Sequence, residues 1–253
     1  MRVTSVRRDG PSTITEIDLD RLASGYEHRP TQGFSLDHAV ALVEHLDRGA
    51  RALDVGGGKG DHAAAWADRG VFAVVLDPGE QMVAAAGRRR GVSAVRGMSQ
   101  SMPFRDAAFD VVRFHLSIHY GDWRAAVREA RRVLAAGGII DIWTFGPRHH
   151  ARSNLSLWFP RVSEIDAARF PDLGLIGREL EALGLDVAIE QHDEVVERDP
   201  DDWVAAVRAG FVSTLQLLTP AEIEAGLDRF IRIHPAGTPL VYDLRFDRII
   251  GSA

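Results

Sequence analysis

Cysteine is missing from all 253 residues, so disulfides, thiolate metal sites and a cysteine nucleophile are excluded. A reducing, cytoplasmic setting is the one expected. Lysine is nearly missing too, with Lys59 alone among the arginines. Basic charge is in deficit overall, at a formal net charge of −6. Nucleic-acid binding draws affinity from neutralised phosphates, so this balance argues against a nucleic-acid partner. No run of about 18 apolar residues occurs, and no membrane span is expected. The opening stretch MRVTSVRRDGPSTIT carries charge with no apolar segment behind it, and does not read as a signal peptide. Internal repeats and low-complexity linkers are lacking as well. The expectation is one domain over residues 1–253, monomeric or homodimeric, with residues 1–13 as a mobile arm.

What the chain does contain is an alternation of short apolar runs with amphipathic segments. RALDV (51–55), VFAVVLD (71–77), VSAVRG (92–97), residues 109–114 and IIDIWTF (139–145) read as strands. The second is apolar throughout, as in strands buried on both faces of a parallel sheet. Helical periods fit 35–47, 61–70, 82–90 and the segment WRAAVREARRVL, stopped by Gly137 and Gly138. This βα alternation calls for a doubly wound parallel sheet with right-handed crossovers. Beyond residue 146 the pattern changes. Residues 147–170 show no clear period. A helix is expected at 173–183, a strand near 185–191, helices at 200–214 and 219–233, and a strand in PLVYDLRFDRII. Thr219, Pro220 and Glu222 make a capping-box start for the last helix.

The most informative segment is LDVGGGKG (53–60), where a strand delivers Asp54 into a turn holding Gly56, Gly58 and Gly60 before a helix. Glycines let the backbone bend sharply and let a ligand approach where Cβ atoms would stand. A dinucleotide fingerprint requires G-x-G-x-x-G, yet counted from Gly56 the third glycine position holds Asp61. A Walker loop requires Ser or Thr after its lysine, yet Gly60 follows Lys59. Neither fits. Asp77 closes the next strand, either to receive a ligand's hydroxyls or as a turn carboxylate before Pro78.

An acid two residues ahead of G-x-G-x-G resembles motif I of the class I methyltransferases that use S-adenosylmethionine (SAM). The resemblance continues over residues 51–145. Asp77-Pro78-Gly79-Glu80-Gln81-Met82 is similar to the family's D-x-S-x-x-M. Pro103-Phe104 with Phe109-Asp110-Val111-Val112 is similar to its LPF…FDVV stretch. Leu116 to Tyr120, followed by Gly121-Asp122-Trp123, resembles LALHYxxDW, and Arg132-Val133-Leu134 before Gly137-Gly138 resembles RVLKPGG. Each motif is weak alone; five in order are strong.

The resemblance implies a Rossmann-like α/β fold: a seven-stranded, mostly parallel sheet with an antiparallel last strand and helical lid insertions at 147–170 and 197–236. It implies SAM as cofactor and S-adenosylhomocysteine as its product. The implied cofactor residues are Tyr26, Asp54, Gly56, Gly58, Gly60, Asp77, Pro78, Met82, Met98, Ser99, Phe114 and His115. In the family the turn cradles the methionine end, Asp77 takes the ribose hydroxyls and Tyr26 closes over the site or holds the arm. Where relatives read GDA after the third strand, this chain has Gly97-Met98-Ser99, so adenine recognition falls to backbone near Ser99 and apolar contact with Met98.

The acceptor is expected to be a small molecule, partly apolar and of natural-product type, with an anionic one also suited to the Arg and His residues of the first insertion. His115 and His119 flank the end of the fourth strand and are the candidate catalytic bases, with lining and packing as their alternative roles. Tyr120, Trp158 and Phe159 are the candidate acceptor contacts, and Phe170 and Phe211 further wall residues, with core packing as the alternative. His149 and His150 read as a solvated loop, and no metal site is expected. A SAM-binding cyclase, isomerase or binding module, an RNA methyltransferase and a nicotinamide oxidoreductase are the rival readings.

Overall fold

Seven strands form one twisted sheet in the computed structural model, which describes residues 2–5, 15–18, 22, 25, 28, 32–235 and 237–253. Tyr26 and most of the expected 1–13 arm lie outside those residues. A separate hairpin pairs β1 (Arg2–Ser5) with β2 (Thr15–Asp18). The sheet contains β3 (Arg51–Val55), β4 (Phe72–Asp77), β5 (Val92–Arg96), β6 (Phe109–His115), β7 (Leu134–Phe145), β8 (Asp186–Arg198) and β9 (Leu240–Ser252). Their order is β5-β4-β3-β6-β7-β9-β8. The pairs among β3 to β7 are parallel, and β9 runs antiparallel to both its neighbours. This is the Rossmann-like α/β sheet expected, antiparallel last strand included.

The chain winds outward from β3 through β4 to β5, then returns to lay β6 on the other side of β3. That reversal opens a crevice at the carboxyl ends of β3 and β6, where open α/β sheets bind ligands.

Alternation along the strands divides the core between two faces. Leu53, Val74, Leu76, Val112, Phe114 and Ile142 point to one face, under the helices Trp123–Val133 and Leu173–Ala182. Ala52, Ala73, Val75 and Val111 point to the other, packed by Val43, Ala63 and Ala86 from the helices Gln32–Val43, Asp61–Ala67 and Glu80–Ala86. Small residues on this second face let the helices lie close. It also carries a buried charge network. Arg113 donates to Asp141 Oδ2 at 3.0 Å, both side chains fully buried, and Arg248 Nε and Trp143 Nε1 donate to the same carboxylate at 2.6 and 3.0 Å. Burial holds the Arg113 guanidinium below its ordinary pKa against the opposing pull of Asp141 and Asp54. Removing one partner of such a pair typically costs about 3–5 kcal/mol.

Several boundaries differ from expectation, among them the helix expected at 200–214, which ends at Ala209 at the left-handed Gly210 and is followed by a separate 3-10 turn, Ser213–Leu217. The helix begun at Trp123 ends at Val133, ahead of the glycines, because Leu134 already pairs with Phe109 across a bulge. Strand β8 continues to Arg198 because β9 is long enough to pair with all of it. Residues 147–170 are not irregular but form three short helices, Pro147–His150, Asn154–Trp158 and Arg161–Arg169.

These helices pack against Pro200–Ala209, the 3-10 turn Ser213–Leu217 and Pro220–Ile233. Phe159, Val162, Trp203, Val207, Leu227 and Phe230 form their shared apolar core. The two segments that interrupt the sheet are therefore one helical layer over the carboxyl edge. Both halves of the Thr219–Glu222 capping box are formed. Among the described residues no helix is long and apolar enough to cross a membrane.

Candidate functional site

At the crevice beside β3 lies a cavity of about 110 Å³, open to solvent. Its floor is the glycine turn. Gly56 and Gly58 take φ of 70° and 56°, a conformation that L side chains rarely adopt. A Cβ on Gly57 would stand 2.6 Å from Asp54 Oδ2, and one on Gly56 would stand 2.5 Å from Ser117 Cβ. Asp77 ties two loops together: Oδ2 accepts from Gly58 N at 3.0 Å and Oδ1 from Gly79 N at 2.8 Å. A carboxylate has about four acceptor positions, so two backbone donors do not saturate it. Asp54 is nearly fully buried, and neither of its oxygens accepts a hydrogen bond from the described residues. His62 Nδ1 stands 3.6 Å from Oδ2.

Pro78, Met82, Met98, Ser99 and His115 line this cavity as the sequence suggested. Two expected residues do not. Phe114 points to the opposite face of its strand and is buried in the core beneath the sheet. Gly60, at φ 78°, opens the helix Asp61–Ala67, where a Cβ would press within 3.1 Å of Ala86 Cβ. Its role is close packing of helix on helix. Sequence reasoning missed Ser35, His62, Gln100 and Ser117 on the walls. Only His62, directly after the glycine turn, carried a signal.

The turn after β6 joins this cavity to a second one of about 110 Å³. Leu116 and Tyr120 line both. Leu116 holds φ 51° without a glycine's freedom, at a cost of about 1–2 kcal/mol. Its N–H donates to Trp143 O at 2.9 Å, and Ser117 Oγ donates to Val55 O at 2.5 Å. These bonds fix the strained turn.

His119, on the same turn, lines the second cavity. Its ring stacks on Phe170 at 4.0 Å and lies 4.2 Å from Tyr120. Phe145, Trp203 and Phe211 complete an aromatic wall, with Asn154, Asp166, Ser213 and Thr214 as polar members.

Here too the sequence reading needs correction. Trp158 and Phe159 face the interior of the helical layer: Phe159 packs with Trp203 and Trp158 with Phe230, away from both cavities. Phe170 and Phe211, with the same side-chain chemistry, do reach the wall. His149 and His150 are buried instead of solvated. His149 stacks on Phe145 at 3.8 Å and its Nδ1 accepts from Arg245 N at 3.3 Å. Burial, then the neighbouring His150, Arg245 and Arg148, push its pKa down to about 3. Burial pushes His150 down to about 4 and Asp166 up to about 6.

Comparison with known proteins places this geometry. A family profile described as "Methyltransferase domain" matches residues 53–142, the stretch from β3 to β7 that builds the first cavity. Over residues 53–142 the chain is thus similar to methyltransferase domains.

Among sequence relatives, an uncharacterized methyltransferase of Bacillus subtilis (strain 168), YcgJ, is 34% identical over 113 residues, 42% of this chain and 43% of its own. A demethylmenaquinone methyltransferase of Corynebacterium glutamicum (strain R) is 35% identical over 105 residues, 40% of this chain and 44% of its own. The aligned stretch thus spans less than half of either relative. In three dimensions the likeness extends further. A protein of Anabaena variabilis ATCC 29413, described as a methyltransferase candidate of an antibiotic biosynthesis pathway, superposes with a TM-score of 0.72. That match covers 89% of this chain and 99% of its own at 24% identity.

SAM is the cofactor, and one observation of the first cavity's lining bears on its fit. A buried carboxylate with no hydrogen-bond partner among the described residues, Asp54, suits the ammonium of the methionine end. The turn at Gly56 and Gly57 leaves no room for a Cβ because Asp54 and Ser117 fill that space, so glycine there serves the packing of the cavity floor.

Proposed function

We propose that this protein transfers a methyl group from SAM, held in the first cavity, to a small and largely apolar acceptor held in the second. The carrying observation is that the two cavities meet at one turn, with Leu116 and Tyr120 in both walls. When bound, SAM supplies a methyl group on a positively charged sulfur, already a good leaving group. The protein's contribution is then chiefly to position the acceptor and exclude water.

In this reading Asp54 receives the ammonium, Asp77 the ribose hydroxyls, and Met98 with Ser99 borders the adenine. The helical layer built from 147–169 and 200–233 roofs the acceptor. His119 is the better placed of the two candidate bases, since it lines the acceptor cavity whereas His115 lines the cofactor cavity. The name of the Corynebacterium relative points to a quinone-type acceptor, and the aromatic wall is compatible with an acceptor of that breadth. The acidic balance and the aromatic lining of the second cavity both favour a small molecule over RNA.

Calorimetry tests the cofactor half. SAM and S-adenosylhomocysteine are expected to bind, and NAD and ATP are not. Tight nicotinamide binding with no SAM binding overturns the assignment.

A further inference from the structure

The second cavity has a polar end whose charges are arranged with unusual economy. Asp166 Oδ1 accepts from the Thr214 hydroxyl at 2.5 Å. Behind it, Arg169 donates to Thr214 Oγ1 at 2.9 Å and to Ser213 Oγ at 3.0 Å, and stands 3.9 Å from Asp166. Arg169 is 5% exposed and lies outside the cavity wall, while Asp166 is on it. The carboxylate is thus balanced from the rear and presents its front to the cavity. Asn154, 7% exposed on the same wall, has a side-chain oxygen with no hydrogen-bond partner among the described residues.

Three ligand charges can be weighed against this arrangement. An anion would find no lysine or arginine among the described residues of the wall. Of the two histidines there, His149 is held neutral by burial and His119 is stacked on Phe170. A cation would approach Asp166 with Arg169 already beside it, and would give up its hydration to an aromatic box. A neutral molecule meets neither cost. One hydroxyl hydrogen satisfies Asn154, whose side-chain oxygen has no partner among the described residues, another joins the Thr214 hydroxyl on Asp166, and its rings lie against Phe170, Phe211 and Trp203.

We infer that the second cavity selects an uncharged, hydroxyl-bearing aromatic acceptor and that Asp166 receives one of its hydroxyls. The inference rests on the second cavity being the acceptor site.

The test is calorimetry on the full chain saturated with S-adenosylhomocysteine, using dihydroxynaphthalene, naphthoate and naphthylmethylammonium as probes. The diol is expected to bind at least about tenfold more tightly than either ion, the worth of one well-placed hydrogen bond. Asp166→Asn is expected to weaken diol binding by about the same factor while S-adenosylhomocysteine affinity stays unchanged. Should that variant fail to fold, the preference of the unaltered chain decides alone. Equal or tighter binding of either ion, or no binding of the diol, overturns the inference. Failure to bind S-adenosylhomocysteine would instead overturn the methyl-transfer reading beneath it, so the two failures are distinct.

Discussion

Asp77 ties two loops together and, in the proposed reading, also receives the ribose hydroxyls. Its two oxygens hold Gly58 N and Gly79 N, joining the loops after β3 and β4 at the cavity mouth. Asp77→Ala removes both the loop tie and the acceptor of the ribose hydroxyls. Calorimetry is expected to show S-adenosylhomocysteine binding weakened by about 1.5–3 kcal/mol, the range for losing hydrogen bonds to a charged group. Unchanged affinity in a folded variant would reduce Asp77 to a loop carboxylate. His119 is tested by kinetics. As the general base it makes His119→Ala lose about 10²–10⁴ in kcat while S-adenosylhomocysteine affinity holds. Full turnover in that variant would leave His119 a packing residue between Phe170 and Tyr120.

At the scale of elements, the short helix Pro147–His150 carries a pH dependence of its own. His149 and His150 are buried with pKa values pushed down to about 3 and about 4, against 6.5 in the open chain. Below about pH 6.5 the unfolded chain takes up protons that the folded chain refuses. Stability from these two residues is full above that pH and is lost progressively as pH falls toward 4 and 3. Asp166, pushed up to about 6, acts in the opposite direction over an overlapping window. A comparison of variants isolates the histidines. Between pH 7 and pH 5, urea unfolding should show the unaltered chain losing more stability than the double variant His149→Asn, His150→Asn. Equal losses would mean that the two rings reach solvent when protonated.

Elements also mark where the sequence could be read and where it could not. The segment from Asp54 to Gly60 was legible because consecutive residues do the work: a strand, a turn that needs glycine, a helix, and Asp77 one strand later. The helices of four, five and nine residues between 147 and 169 were not legible, since none is long enough to show an apolar face. Phe159 and Phe170 look alike in sequence. Which one lines a cavity is decided by Trp203 and Phe230, some forty to seventy positions away. The burial of His149 depends in the same way on stacking against Phe145 and on a backbone donor from Arg245. Phe114 misled for a simpler reason: period two along β6 sends it to the core face while His115, one residue on, faces the crevice.

For the whole molecule, the division of labour follows the chain. Residues 51–145 build a sheet whose order reverses beside β3 and so creates the cofactor crevice. The residues that interrupt the later strands supply the roof, and the strained turn at Leu116 lies where the two meet. The measurement closest to this account is transfer of a labelled methyl group. The chain is incubated with SAM carrying a trideuterated methyl and a small-molecule metabolite extract, and followed by mass spectrometry. The account predicts an aromatic hydroxyl compound heavier by one labelled methyl, with S-adenosylhomocysteine formed in equal amount. SAM bound by calorimetry, with its label never leaving it in the presence of any extract fraction, would contradict the account and leave a binding protein in its place.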